Sequence, residues 1–268
     1  MQTTLDISLF WIAFWVYLAS FLLFVIFFGV KKRLLGKIAA IVFFAAIALH
    51  TGGIIERYRL TGHLPLATMF EYSLLLSWFI AVSFFVVISK YGLMISGLVI
   101  SPVIIIVMVI AAFLPKEGSK HMMPALQSYW LYIHITLAAL AEGAFFTAAG
   151  AGVYYLFGSV RKGIDFKNRE AVEGLIIKSI RIGYPLFTIG ALFAGSLWAW
   201  KAWGSFWSWD PKETGALVVW LFYTLLLHQQ SRGRWRGRRL AILSIAGFLI
   251  IIISFLGTLF LGGLHAYI

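Results

Sequence analysis

Long apolar runs separated by short polar connections organise the whole chain. A helix needs about 20 apolar residues to cross the hydrocarbon core of a bilayer, which is about 30 Å thick. Runs of this kind occur at about 8–30, 37–55, 71–89, 92–114, 129–157, 180–200, 213–229 and 240–262. The runs lack the alternation of barrel strands, and unpaired backbone groups are costly in lipid, so helices are expected. The pattern therefore predicts an all-α integral membrane protein with about eight transmembrane helices.

Composition agrees with a membrane location. The 268 residues are 62% hydrophobic and 12% charged, whereas soluble domains average about 45–50% apolar and about 25% charged residues. This balance argues against a soluble enzyme, a disordered scaffold or a nucleic-acid-binding domain. The chain has no cysteine, which excludes a disulfide, a thiolate metal site and a nucleophilic thiol. No linker divides the runs, so we expect one polytopic membrane domain over residues 1–268.

Basic residues mark one side of the predicted bundle. Lys and Arg are enriched in cytoplasmic loops, and 16 of the 22 basic residues lie at the connections after the odd-numbered runs. This alternation predicts that both termini lie outside the cytoplasm. The start of the chain lacks the basic region of a cleaved signal peptide, so the first run is expected to be retained as a span. The segment RGRWRGRR at 232–239 is then a cytoplasmic turn, and no nucleic-acid partner is expected.

Tryptophan is concentrated in one predicted outer connection, at about 198–213. Five of the eleven tryptophans lie between Trp198 and Trp209. Trp203 and Trp207 are four residues apart and would share a helical face. Several large rings on one surface can stack on a flat aromatic ligand. An aromatic belt at the membrane interface is the alternative, and composition alone leaves both interpretations open.

A helix start follows the tryptophans. Asp210, Pro211 and Glu213 occupy the N-cap, N1 and N3 positions of a capping box. This pattern predicts that the seventh span begins at this point. A sharp helix start would also fix the orientation of the tryptophan rings.

Several segments resemble one family of haem-handling membrane proteins. WGSFWSWDPKETGALVVWLFY at 203–223 resembles the tryptophan-rich WWD signature of cytochrome c biogenesis. Among the proteins with this signature, the chain is most similar to the CcsA/ResC family of the system II pathway. The segment 62–78 is also similar to that family, although the order Phe70-Glu71-Tyr72-Ser73 departs from its usual pattern. LQSYWLYIHI at 126–135 and GLHAYI at 263–268 are similar to its two outer-face histidine segments.

The resemblance turns two histidines into candidate haem ligands. His134 lies about five residues into the fifth run, and His265 follows the eighth run on the same predicted side. Imidazole is a common axial ligand of haem iron. Taken alone, either residue would be interpreted as an interfacial histidine bonded to a carbonyl. With the resemblance, we expect both to ligate a haem b that lies on a platform formed by Trp203, Trp207, Trp209 and Asp210.

The other histidines are expected to have different roles. His228 lies 18 residues after Asp210, which is about 27 Å along a continuous helix. The resemblance implies that His228 marks an inner haem site whose second ligand belongs to a partner protein. His50 is either a substitute ligand or a core polar group. His63 and His121 are expected to be solvated or structural.

Three charged residues are further candidates. Glu142 is the one acid well inside a predicted span, where a charged carboxyl costs about 2.5–3.5 kcal/mol. It is either protonated and hydrogen-bonded, or it orients a ligand or carries a proton. Small residues around it, from 138 to 149, predict close helix packing. Arg57 and Arg59 either pair with haem propionates, which guanidinium binds bidentately, or only keep a loop soluble.

The resemblance implies haem delivery to apocytochrome c and covalent attachment at its Cys-x-x-Cys-His segment. It also implies a membrane partner of the CcsB/ResB type. The chain would be the catalytic part of a holocytochrome c synthase complex, although it has no acid–base triad. The alternatives are a haem exporter or chaperone without synthase activity, and a solute- or quinone-binding membrane protein. The expected location is the bacterial cytoplasmic membrane with the haem site facing the periplasm or exterior, and the thylakoid membrane is the alternative.

Overall fold

The regular structure is helical. The computed structural model describes residues 4–30, 32–91, 94, 97–116, 124–160 and 166–261, and no strand occurs in these ranges. The α-helices are α1 (Leu5–Val30), α2 (Arg33–Thr61), α3 (Met69–Tyr91), α4 (Gly97–Phe113), α5 (Tyr129–Val160), α6 (Phe166–Phe187), α7 (Gly195–Trp203), α8 (Pro211–Ser231) and α9 (Gly237–Leu261). Each of the eight predicted apolar runs lies largely within helical residues. The prediction of an all-α protein is therefore confirmed.

Six of the described helical segments are long and apolar enough to cross a membrane. They are Leu5–Val30, Arg33–Thr61, Met69–Val86, Tyr129–Phe157, Arg169–Trp203 and Gly237–Phe255. The apolar helix α4 is shorter, with 17 residues. The helix α8 lies outside this set, since it begins Pro-Lys-Glu-Thr and ends His-Gln-Gln-Ser. A multi-pass membrane protein is supported, whereas the number of eight spans and the outward-facing termini stay predictions.

The described helices form two compact units. Unit 1 contains the helices up to α4 and the 3₁₀ turn Pro124–Leu126, and unit 2 begins at Gln127. In unit 1, α1 packs against α2 and α4, and α3 packs against α2 and α4. In unit 2, α5 packs against α6, α7 and α9, and α8 packs against α6 and α9. The organisation as one polytopic domain stays a prediction.

A buried ion cluster joins the helices of unit 1. Arg57 of α2 is 3% exposed. Its Nε donates to Oε1 of Glu71 in α3 at 2.8 Å, and its Nη1 donates to Oδ2 of Asp6 in α1 at 3.1 Å. Nη1 also donates to the carbonyl oxygen of Lys116 at 2.8 Å. Buried charges are tolerated only when they are paired and hydrogen-bonded, so this cluster fixes α1, α2 and α3 to one another.

Small residues allow close helix packing in unit 2. The alanines at 139, 141, 148, 149 and 151 of α5 are buried. A Cβ atom added at Gly152 would lie 2.7 Å from the carbonyl oxygen of Ala241 in α9. The rings of Phe145 in α5 and Tyr223 in α8 are stacked, with centroids 3.8 Å apart and planes 8° apart. The close packing predicted from the small residues is confirmed.

The helix α6 continues into α7 through a π-helical segment, Thr188–Ala194. A Cβ atom at Gly190 of this segment would lie 2.8 Å from the backbone nitrogen of Ala138 in α5. Segments of π-helix are rare and are often found at functional sites. The predicted run 180–200 includes this interruption, which its apolar pattern does not reveal.

Removing the Arg57 side chain should destabilise unit 1 strongly. Arg57→Ala leaves the buried carboxylates of Asp6 and Glu71 without their cation, and breaking a buried ion pair in this way costs about 3–5 kcal/mol. Arg59→Ala is the matched control, since that side chain is 71% exposed and 3.6 Å from Glu56, and an exposed pair contributes about 0–1 kcal/mol. The measurement is the thermal denaturation midpoint of each purified variant in detergent. Equal midpoints for the two variants would contradict a structural role of the cluster.

Candidate functional site

The imidazole of His134 is held by a backbone carbonyl. His134 lies in the second turn of α5 and is partly buried. Its Nδ1 atom is 2.9 Å from the carbonyl oxygen of Gly190. Because a carbonyl oxygen only accepts, this contact assigns the proton to Nδ1. In the neutral ring the lone pair then lies on Nε2, which becomes the nitrogen able to coordinate a metal.

Two glycines and a tryptophan surround the same ring. The carbonyl of Gly190 also accepts from the backbone N–H of Gly195, which closes the π-helical turn. A Cβ atom at Gly195 would lie 3.0 Å from Nδ1 of His134 and 3.2 Å from its Cε1. Trp198 lies parallel to the imidazole, with centroids 5.9 Å apart and planes 8° apart, and is 2% exposed. These contacts define both the orientation and the tautomer of His134.

Trp198 also connects His134 to the tryptophan-rich connection. Trp203 meets Trp198 edge to face, with ring centroids 5.3 Å apart. The helix α7 ends there, because Gly204 has φ 78° and its N–H donates to the carbonyl of Trp200 at 2.9 Å. His134, Trp198 and Trp203 therefore form a continuous series of rings within unit 2.

A second part of the connection exposes its rings. Trp200 stacks on Phe206 with centroids 5.5 Å apart, and both rings are exposed. Trp207 meets Trp209 edge to face at 5.9 Å, and Trp209 is 70% exposed. Trp209 has φ 60°, which bulky residues rarely adopt. Such a backbone conformation costs on the order of 1–3 kcal/mol and often occurs at functional sites.

Polar contacts hold this exposed part to α8. Oδ1 of Asp210 accepts from the backbone nitrogen of Lys212 at 2.8 Å, with Pro211 in the first helical position. The predicted helix start is confirmed. Oε2 of Glu213 accepts from the backbone nitrogen of Ser208 at 2.7 Å and from its Oγ at 3.0 Å. The Glu213 carboxylate thus accepts its hydrogen bonds from Ser208, which lies two positions before the N-cap residue Asp210. In a capping box it would accept from the backbone N–H of the N-cap residue itself.

Ring contacts join some of the predicted site residues, namely His134 to Trp203 through Trp198, and Trp207 to Trp209. His134, Trp203, Trp207, Trp209 and Asp210 all belong to unit 2. Asp210 is buried and supports the connection as a helix cap. His265 lies outside the described residues, as does His121, so the pairing of His134 with His265 stays a prediction.

Three residues around His134 were not among the predicted site residues. They are Gly190, Gly195 and Trp198. The signal available in the sequence was a pair of glycines five residues apart inside an apolar run that leads into the tryptophans. In the described part of the chain, no group of three or more His, Asp or Glu is arranged to hold a metal ion.

The remaining histidines lie apart from this arrangement. His228 is exposed in the last turn of α8, and Oγ of Ser231 donates to its carbonyl at 2.8 Å. His50 in unit 1 is fully buried, with Nδ1 3.4 Å from the hydroxyl of Tyr17, which favours a core polar group over a ligand. Nδ1 of His63 is 2.9 Å from the carbonyl of Leu64. The inner haem site at His228 stays a prediction.

The charged candidates have partners that the sequence did not indicate. Glu142 interacts electrostatically with Lys212 from the first turn of α8, so a cation from another helix contributes to the environment of the acid inside α5. The guanidinium of Arg57 is engaged by the carboxylates of unit 1, and Arg59 is exposed near Glu56. A role of Arg57 and Arg59 as contacts to haem propionates stays a prediction.

Comparison with known proteins agrees with these features. The family model described as cytochrome C assembly protein matches residues 66–265. The cytochrome c biogenesis protein CcsA of Prochlorococcus marinus subsp. pastoris is 33% identical over 245 residues, which cover 80% of this chain and 78% of the relative. The protein of the same name from Chlamydomonas reinhardtii is 33% identical over 227 residues, which cover 80% of this chain and 64% of the relative.

A solved structure has the same fold. The structure of the protein titled Cytochrome c Heme Lyase CcmF matches 97% of this chain with a TM-score of 0.74 and 16% sequence identity. The match covers 50% of the CcmF chain. The sequence matches, which extend over most of the chain, show the family directly. This chain is a member of the cytochrome c assembly protein family and belongs with its CcsA proteins.

Proposed function

We propose that this protein binds haem at the tryptophan-rich connection and, with a membrane partner, attaches it to apocytochrome c. The observation that carries this proposal is the hydrogen bond from Nδ1 of His134 to the carbonyl of Gly190. Histidines that bind metals almost always donate their other ring N–H to a carbonyl, a carboxylate or water. Membership of a cytochrome c assembly family supports haem as the metal-containing substrate.

The residues of unit 2 fit a flat iron-containing substrate. His134 would supply Nε2 as one axial ligand, and His265 would supply the second. The rings of Trp203, Trp207 and Trp209 would contact the macrocycle, some face-on and some edge-on because Trp207 and Trp209 are perpendicular to each other, and each aromatic pair contributes about 0.5–1.5 kcal/mol beyond area burial. The indole nitrogen of Trp207 is buried without a hydrogen-bond partner in the described part of the chain. Since an unsatisfied buried donor costs about 1–3 kcal/mol, this N–H suits a polar substituent of the substrate.

The share of this chain in the reaction is positioning. It contains no cysteine, so the thiols that add across the haem vinyl groups come from the Cys-x-x-Cys-His segment of apocytochrome c. Holding two reactants in a near-attack geometry contributes on the order of 7–11 kcal/mol. The polar support of the connection by Asp210 and Glu213 would keep its rings in place while the apocytochrome approaches.

The proposal includes the membrane arrangement of the protein. Eight spans with both termini outside the cytoplasm would place the tryptophan-rich connection at the periplasmic or exterior face of a bacterial cytoplasmic membrane. The membrane partner is of the CcsB/ResB type and the substrate is haem b. His228 would belong to an inner haem site, where the partner supplies the second ligand.

Replacing either proposed axial ligand should weaken haem binding in a way that free imidazole restores. His134→Gly and His265→Gly each remove one imidazole and leave space for a soluble one. The measurements are the Soret absorbance per protein and the covalent haem on a co-expressed apocytochrome c, with and without added imidazole. His63→Gly is the control, because its ring bonds to a carbonyl in unit 1. If both ligand variants keep the normal spectrum and attachment yield without imidazole, the proposal is wrong.

Displacing His134 without removing it should also lower haem content. Gly195→Ala places a Cβ atom 3.0 Å from Nδ1 of His134, so the ring must shift by a few tenths of an ångström, which perturbs its bond to Gly190. Gly174→Ala is a matched control in α6 of the same unit, since a Cβ atom there meets nothing within 4 Å. We expect a lower Soret absorbance per protein for Gly195→Ala and a normal one for Gly174→Ala. Equal haem content in the two variants would show that the position of the ring is unimportant.

A further inference from the structure

The turn between α8 and α9 has an unusual density of unpaired cations. Five arginines occur within eight residues, and we refer to them as the arginine turn: Arg232, Arg234, Arg236, Arg238 and Arg239. All five side chains are exposed. Among the ion pairs of the described residues, none involves the arginine turn. Their mutual repulsion is therefore not relieved by carboxylates within the described part of the chain.

The backbone holds these arginines close to the ends of α8 and α9. The helix α8 ends at Ser231, and α9 begins at Gly237. The turn is tight, because the N–H of Gly233, with φ 72°, donates to the carbonyl of Gln230 at 2.9 Å. The N–H of Arg234 donates to the carbonyl of Gln229 at 3.1 Å. Every guanidinium thus originates within a few residues of a helix end.

Two of these arginines occupy an electrostatically unfavourable position. Arg238 and Arg239 lie in the first turn of α9, where the helix dipole favours anions and disfavours cations. An anion from outside the chain would stabilise arginines at this position. The guanidinium is also planar and binds phosphate through two parallel hydrogen bonds, which a lysine does not do.

The surroundings indicate where this anion comes from. Trp235 in the middle of the turn is partly buried, and tryptophan is enriched at the level of lipid headgroups. Arg181 of α6 extends the basic surface, since its Nη2 donates to Oε1 of Gln230 at 3.2 Å. Clusters of four to eight basic residues next to a membrane helix bind anionic lipids. A surface at the start of α9, which is long and apolar enough to cross a membrane, would lie at the level of headgroup phosphates.

We propose that the arginine turn is a binding surface for the phosphate groups of anionic phospholipids. This inference does not depend on haem binding, because none of the five arginines is among the proposed haem-binding residues. It also goes beyond the general enrichment of basic residues in cytoplasmic loops, since it assigns lipid binding to one connection and to guanidinium groups.

The test is a lipid titration of the purified full-length chain in detergent micelles. Phosphatidylglycerol and phosphatidylcholine are compared, and lipid binding is followed by native mass spectrometry. The test variant is R234Q/R236Q/R238Q. The matched control is K32Q/R33Q/K37Q, which removes the same charge from three exposed side chains at the connection between α1 and α2. A third variant, R234K/R236K/R238K, keeps the charge and removes the bidentate geometry.

We expect the wild-type chain to prefer phosphatidylglycerol. The affinity for this lipid should fall by about five-fold for each arginine removed, it should stay unchanged in the control, and it should be intermediate in the lysine variant. The proposal is overturned if the glutamine variant binds like the wild type, if the control loses as much affinity, or if the two lipids bind equally. It is also overturned if soluble glycerol phosphate competes as well as the lipid, because a free phosphate would then be the ligand.

Discussion

The hydrogen bond between His134 and the carbonyl of Gly190 is the interaction on which the rest of the site depends. A π-helical segment adds a residue to a helical turn, and each added residue rotates the downstream part of the helix by about 100° relative to a regular helix. The segment Thr188–Ala194 therefore sets the direction in which the side chains of α7 point. It directs Trp198 onto the imidazole of His134 and presents the Gly190 carbonyl to Nδ1. The π-helical segment thus determines both the tautomer of His134 and the position of the Trp198 ring beside it.

The tryptophan-rich connection combines backbone strain with firm support. Trp209 has a left-handed backbone conformation and a largely exposed ring. The neighbouring residues are tied to the start of α8, because Glu213 accepts two hydrogen bonds from Ser208 and Asp210 caps the helix. Exposed tryptophans in a connection between helices suit either the membrane interface or contact with a flat aromatic ligand. A strained segment on a rigid base suits a surface that must keep its shape while a flat substrate is received and passed on.

The sequence was sufficient for features that depend on local pattern. The apolar runs predicted the helices, and the residues Asp210 and Pro211 predicted the start of α8. His134 and the tryptophans were recognised because their order along the chain resembles a known family. Each of these features is encoded within a few consecutive residues or in a linear motif.

Features that depend on contacts between distant residues were not predictable in the same way. Arg57 and Asp6 are 51 residues apart in the chain, so the sequence presents them as unrelated polar positions near helix ends. The electrostatic interaction of Glu142 with Lys212 has the same origin, because the two residues lie on different helices, far apart in the chain. The π-helical segment was not predictable for another reason. An extra residue in one helical turn does not change the hydrophobic pattern of a run in which nearly every residue is apolar.

The proposed haem site is tested by a cryo-electron microscopy structure of the protein isolated with its bound haem. We expect iron coordinated by Nε2 of His134, with Nδ1 still bonded to the carbonyl of Gly190 and the macrocycle lying against the tryptophan-rich connection. Iron coordinated through Nδ1, or a haem located away from His134 and the tryptophans, would contradict it.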